Sequence, residues 1–334
     1  MASARKKTRA EPEARNIGKL FVIGGNEDTD EHEMPILSHF VKMCGGRRAR
    51  IVVCGTPSER RVSREREYKR RFRQLGAKEV VEADAGHRGA AESERLVAGV
   101  RHATGVFFTG GDQLRLTSII AGTAFGEEIR HRLWNGGMVV GGTSAGAAAM
   151  GSTMIIGGSD RGTVRRADVR LAPGLGYWRD SVIDTHFAQR GRISRLLVVF
   201  AHNPQILGLG LDENTAVELD PGKEFTVVGA GAAYVFSGMV THSNASEADD
   251  AEVIAMTDDA AHPAGGIRVR SADEASDASV ARGHSRPREE MIRPETPQTT
   301  AGGGRSPDPD RSADAGATEG VRASSTPTAT CGSS

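Results

Sequence analysis

Ser144 lies in Gly142-Thr143-Ser144-Ala145-Gly146, between the apolar run 138–141 and the alanines Ala147, Ala148 and Ala149. A Gly-x-Ser-x-Gly pattern between a buried strand and a helix former is the chemistry of a nucleophile elbow. The sharp turn exposes the serine hydroxyl. The glycines remove side chains that would collide with the strained turn or the helix, and the following N–H groups face a developing oxyanion. A short Gly/Ser loop joining strand to helix has the same local sequence, so the partners of the hydroxyl decide between the two.

A serine needs a base, and the base needs an orienting group. Among the ten histidines, His131, His32, His39 and His202 read as helix or surface residues, and those beyond Val240 fall in weakly patterned chain. His186 stands apart, at the point where the apolar run through Val182 and Ile183 passes into Asp184, Thr185 and then Gln189-Arg190. Two carboxylates compete for the third position. Glu213 ends the apolar run 206–211 and projects from a strand end. Asp160, in Gly157-Gly158-Ser159-Asp160, follows the nucleophile closely but on a loop of no readable direction. Either also suits a turn or cap. Beyond His186, Arg192 and Arg195 share a helical face with Arg190 at its start, a set of forks suited to carboxylates. Asp184 either pairs with one of them or receives a cationic substrate group.

The elements that must position these residues alternate in the manner of an α/β sandwich. Strands are expected at 19–23, 50–54, 79–82, 105–109, 138–141, 206–211, 216–219 and 225–236, the last open to a break at Gly229 and Gly231. Helices are expected at 60–75, 91–102, 112–121, 126–134, 145–150 and 192–201. Val- and Ile-rich strands followed by crossover helices imply a mostly parallel sheet covered on both faces, with the site beyond the carboxyl ends of its strands. Four such ends carry glycine-rich or polar turns, beginning at Gly24, Gly55, Gly110 and Gly141. The arginine-rich helix 60–75 reads as a solvated outer face, because Glu65 and Glu67 interrupt its charge.

The chain has 334 residues, 38% of them hydrophobic, with 43 basic and 43 acidic side chains in formal balance. That balance argues against a general nucleic-acid binder. The last leucine is Leu219 and the last aromatic residue Phe236. Residues 271–334 are therefore expected to form a disordered tail, and 1–15 a flexible extension, around a domain at 16–270. No run approaches a membrane-spanning length. Cys44, Cys54 and Cys331 have no metal or redox spacing, which fits a reducing cytoplasm.

Six motifs in one order carry a resemblance: IGGNED at 23–28, TGGDQLRL at 109–116, GGTSAGAAAM at 141–150, LAPGLG at 171–176, DTHFAQRGRISRL at 184–196 and GLDENTAV at 210–217. The chain resembles the cyanophycinases, serine peptidases of family S51 related to the aspartyl dipeptidases. The resemblance implies a three-layer α/β sandwich like that of the class I glutamine amidotransferases, flavodoxin-like, and a homodimer without metal or organic cofactor. The reaction implied is hydrolysis of cyanophycin, a poly-aspartate chain with arginine on each side-chain carboxyl, to β-aspartyl-arginine. Ser144 would be the nucleophile, His186 the base and Glu213 its partner, with Asp160 the alternative. The oxyanion donors would be N–H groups near Gly111, Asp112 and Ala145. Gln113, Asp184, Thr185, Arg190, Arg192 and Arg195 would bind substrate, Thr185 standing where glutamine is expected. A dipeptidase on free aspartyl peptides, or a non-catalytic cyanophycin-binding relative, are the competing functions.

Overall fold

A computed structural model describes residues 16–30, 33–158, 169–203, 205–220, 224–237, 239–243, 255–258 and 268–271. The described residues fall in one compact unit. The first half alternates strand and helix: β1 Leu20–Ile23, α1 Pro35–Met43, β2 Arg50–Cys54, α2 Arg61–Gln74, β3 Glu79–Glu82, α3 Arg88–Ala91, α4 Glu94–His102, β4 Gly105–Phe108, α5 Gln113–Ile120, α6 Ala124–Asn135 and β5 Val139–Thr143. After the short α7 Ala145–Ala148 come β6 Gly151–Gly157, β7 Arg170–Pro173, β8 Trp178–Thr185, α8 Ile193–His202, β9 Leu207–Leu211 and β10 Thr215–Asp220. The chain continues through β11 Glu224–Gly229, β12 Ala233–Phe236, β13 Met239–Ser243, β14 Ala255–Asp258 and β15 Arg268–Ser271.

Eight strands form the central sheet in the order β15-β11-β10-β1-β5-β4-β2-β3. The run from β1 to β3 is parallel throughout. This is a flavodoxin-like arrangement, and the inner strands are apolar on both faces as a covered parallel sheet requires. Alternation along β1 sorts its side chains: Phe21 and Ile23 join the cluster with Phe40 and Phe72 of α1 and α2, whereas Leu20 and Val22 join the cluster with Leu116, Phe125 and Ile129 of α5 and α6.

Beside the expected central sheet the described strands form two more, a five-stranded one and the pair β13-β14. A second sheet, β12-β9-β8-β6-β7, contributes Met154, Ile183, Leu209 and Leu211 to the same cluster as α5 and α6. The helix α8 covers it through Leu196, Val199 and Phe200. The expected strand 225–236 breaks at Gly229, and its halves enter different sheets: β11 pairs with β10, β12 with β9. The expected helix 91–102 starts at Glu94 as α4, and Ala91 ends the separate short α3.

Helix α1, not among the expected helices, opens on Pro35, buries Ile36, Leu37, Phe40 and Val41, and is capped from outside its own first turn. The Asp28 carboxylate accepts the N–H groups of Ile36 at 3.2 Å and Leu37 at 2.7 Å, doing the work a neighbouring Ser or Asp usually does. At the far end, residues 268–271 pair with β11. The expected extension 1–15 and residues 272–334 of the expected tail lie outside the described residues. No described helix is long and apolar enough to cross a membrane.

Candidate active site

At three strand ends the chain carries a polar side chain, and at two of them it crosses from one sheet to the other. From β5 it passes through Ser144 and α7 into β6. From β8 it passes through His186 toward α8, and from β9 it passes through Glu213 into β10. The turn after β1 ties these strand ends together by main-chain hydrogen bonds. Ser144 N–H donates to the Ile23 carbonyl (3.0 Å), His186 N–H to Gly24 (2.8 Å) and Asn214 N–H to Gly25 (2.9 Å), while Gly24 N–H donates to Thr215 (2.8 Å).

The side chains then meet. Ser144 Oγ lies 2.9 Å from His186 Nε2, and His186 Nδ1 lies 2.7 Å from Glu213 Oε1. Asn26 Nδ2 donates to the other oxygen, Glu213 Oε2, at 3.1 Å, and the Gln189 side-chain oxygen accepts Glu213 N–H at 3.1 Å. Ser144 has φ 50° and ψ −115°, and His186 and Asn214 both have φ 51°. Such backbone costs of order 1–3 kcal/mol per residue and persists only where the surroundings impose it. Here the β1 turn imposes it.

Glycine is needed where backbone must approach closely. A Cβ on Gly142 would lie 2.8 Å from the Gly146 backbone, and one on Gly146 would lie 2.5 Å from the Phe108 carbonyl. At Gly25, φ is +103° and a Cβ would lie 2.4 Å from His186 Cε1, so the imidazole packs directly on this residue. The glycines at the strand end were expected to admit a ligand. At Gly25 the guest is the histidine ring.

Burial holds the His186 pKa below its ordinary 6.5, and the cationic Arg190 and Arg192 act in the same direction against the hydrogen bond from Glu213. Glu213 is held below the usual carboxylate range by that same hydrogen bond, with Asn26 adding to it. A neutral imidazole facing a serine hydroxyl can accept its proton, and an ionised carboxylate behind it stabilises the imidazolium that results. The thiols are poor competitors: burial pushes Cys54 up to about 11 and Cys44 higher still.

Two clefts meet at Ser144. The smaller, about 270 Å³, is lined by Gln113, Ala145, Thr185, Arg190 and Arg192 among others, and the larger, about 680 Å³, by Arg64, Glu67, Tyr68, Arg71 and Glu213 among others. Ser144, His186 and Gly111 border both. Helix α2 is therefore not only a solvated face, since part of it walls the larger cleft. Below that wall Glu27, a residue without an assigned role in the sequence reading, is 5% exposed and accepts from Tyr68 Oη and, at 2.6 Å, from Thr143 Oγ1 next to Ser144.

Several expected site residues have other commitments. Asp184 is 3% exposed and takes both forks of the 5% exposed Arg195, through Nε at 2.6 Å and through Nη2. Arg192 Nη1 adds a contact at 3.4 Å, and the same nitrogen donates to the Thr185 carbonyl at 2.7 Å. Asp184 thus anchors two guanidinium groups, and Asp184 and Arg195 both still line the smaller cleft. Asp112 caps α5 through its carboxylate, and its own N–H donates to the Pro57 carbonyl at 2.9 Å, which removes it as an oxyanion donor. Gln113 anchors its amide nitrogen on the Ile155 carbonyl at 2.7 Å, leaving its oxygen as the acceptor it can offer. Arg190 is exposed and has no ion pair among the described residues. Asp160 lies outside the described residues.

Known proteins place this geometry in context. The family model "Peptidase family S51" matches residues 20–228. A cyanophycinase of Synechococcus elongatus is 35% identical over 240 residues, covering 72% of this chain and 74% of the relative. One from Geminocystis herdmanii is 37% identical over 66% of this chain and 80% of its own length. Among solved structures, a peptidase from an acI-B1 actinobacterium superposes with a TM-score of 0.52 at 22% identity, over 67% of this chain and 92% of that one, a likeness of fold. A family match that opens on the first residue of β1 and closes within β11, together with relatives 35% and 37% identical over 72% and 66% of the chain, means that this chain belongs to peptidase family S51.

Proposed function

We propose that this protein is a serine peptidase that hydrolyses cyanophycin to β-aspartyl-arginine. The observation that carries the reading is the Ser144–His186–Glu213 relay, with contacts of 2.9 and 2.7 Å, in a chain whose curated relatives are cyanophycinases. Ser144 Oγ attacks a backbone aspartyl carbonyl as His186 Nε2 takes its proton. The N–H groups of Gly111 and Ala145 hold the oxyanion. Collapse of the tetrahedral intermediate expels the amine, which takes the proton from His186, and leaves an ester on Ser144. Water, deprotonated by His186, then hydrolyses the ester and restores the hydroxyl.

Arg190 and Arg192 flank the acyl side and supply donors for the α-carboxylate of the substrate arginine, while the Gln113 oxygen accepts from its amide or guanidinium. Asp184 and Arg195 hold that wall in place, and Thr185 contributes backbone to it. The enzyme works as a homodimer in a reducing cytoplasm, a reading supported by two free cysteines among the described residues. Light scattering on the purified protein tests the dimer.

Incubation with insoluble cyanophycin, followed by mass spectrometry of the soluble fraction, tests the activity. Release of β-aspartyl-arginine is the expected result. Intact polymer together with rapid cleavage of short aspartyl peptides would move the assignment to a dipeptidase, and inertness toward both would leave only a binding protein.

A further inference from the structure

The larger cleft is more than twice the volume of the smaller, and its charges are ordered. Arg64, Glu67, Tyr68 and Arg71 stand at i, i+3, i+4 and i+7 on α2, one face of the helix. Tyr68 turns inward to Glu27, which fixes the rotation of that face. Glu67 lies between the two arginines, with Arg64 Nη1 at 2.7 Å and Arg71 Nη2 at 3.3 Å. The wall therefore reads positive, negative, positive, and the side chain of Arg64 is 51% exposed.

A substrate whose scissile carbonyl sits at Ser144 must run from one cleft into the other, because Ser144, His186 and Gly111 border both. The departing amine must meet His186 Nε2, whose ring is held by Glu213, itself held by Asn26, and both of these line the larger cleft. Each unit of the polymer carries one guanidinium and one free α-carboxylate. Such a ladder matches a wall of alternating sign and exchanges its own ion pairs for those of α2 at little electrostatic cost. Uncharged extended chains gain nothing there.

We propose that this face of α2 is the subsite for the leaving portion of the polymer, Glu67 receiving the guanidinium and Arg64 and Arg71 the α-carboxylates. The inference rests on the cyanophycin reading above. It makes α2 a determinant of preference for polymer over isolated units.

The test uses the full-length protein and two substrates, insoluble cyanophycin and β-aspartyl-arginine carrying p-nitroanilide on its aspartyl α-carboxyl, whose leaving group lacks a polymer unit. The double variant Arg64→Glu, Glu67→Arg keeps an i,i+3 ion pair on the helix but inverts the signs shown to the substrate. The ratio of kcat/KM on polymer to that on anilide should fall about tenfold, and about threefold for Arg64→Ala, a substitution at an exposed position that the fold tolerates. An unchanged ratio in both variants, or equal losses on both substrates, overturns the subsite. Failure of the wild-type protein to cleave polymer overturns the cyanophycin reading and the subsite with it; wild-type cleavage with an unchanged ratio overturns the subsite alone.

Discussion

On one side of His186 lies the β1 turn with Glu213, and on the other the wall of α8 with Asp184. The two acids belong to neighbouring strands of the second sheet, Asp184 inside β8 opposite Gly210 of the parallel β9, and Glu213 two residues beyond the end of β9. Glu213 keeps 30% of its side chain exposed and holds an imidazole whose charge must change, whereas Asp184 is buried and holds guanidinium groups whose charge never does. The first region is built on main-chain hydrogen bonds that fix three strand ends to one turn. The second is built on side-chain ion pairs. A site that moves protons needs its groups fixed in place yet free to ionise, and the backbone supplies that without adding charge. A wall that only has to stand is served by a buried pair.

The sharpest break in this contrast is Ser144→Ala, which removes the nucleophile. Turnover on cyanophycin is expected to fall about 10⁶-fold with the melting temperature nearly unchanged. Glu213→Gln should cost about 10³- to 10⁴-fold in kcat, since the amide still reaches Nδ1 but favours the wrong tautomer and no longer stabilises imidazolium. A loss under tenfold would show that Glu213 does not orient His186. Gly25→Ala places a methyl group against the ring in a backbone conformation that alanine resists. A displacement of this kind costs about 10²-fold in turnover, so kcat should fall while KM for the polymer changes little.

Asp184→Asn addresses the other region and should act first on stability. Leaving Arg195 buried without its carboxylate costs about 3–5 kcal/mol, read as a lower midpoint in urea at constant m-value. If instead Asp184→Asn melted like wild type and lost only activity, the acid would be a substrate contact after all.

The smallest effect expected is on pH dependence. His186 must be neutral to accept the serine proton, and burial, aided by Arg190 and Arg192, lowers its pKa. The acid limb of kcat/KM should therefore have its midpoint below 6.5, with activity lost as pH falls through it. Arg190→Ala removes a cation that disfavours imidazolium, so the limb should move toward higher pH. Movement the other way would contradict the electrostatic account.

Much of the site lay open in the sequence because its local chemistry is unusual. Glycines two residues either side of a serine, between an apolar run and alanines, have few other uses, and each proves to sit where a Cβ would strike backbone. His186 was marked by an apolar strand running into polar residues. Less legible were the partners that act across the chain. Asn26 reaches Glu213 over 187 positions, and its only sequence trace was a Gly-Gly-Asn-Glu turn at a strand end. The cap of α1 is of the same kind, supplied by Asp28 from outside the helix. The apolar character of 207–211 and 215–220 marked both as strands, but nothing in the run tells which sheet each joins.

By itself the sequence determined the α/β alternation, the elbow at Ser144, the histidine that serves it and a family resemblance specific enough to name a substrate. These depend on short-range sterics and on residue types, both of which are local. Only the tertiary structure decided that two sheets meet at the site, that Glu213 lies on His186 Nδ1, that Asp184 and Arg195 pair inside the protein, and that α2 turns Arg64, Glu67 and Arg71 toward a cleft. Helical spacing shows which side chains share a face. What that face packs against depends on segments far along the chain, whose approach is set by the burial of a common core.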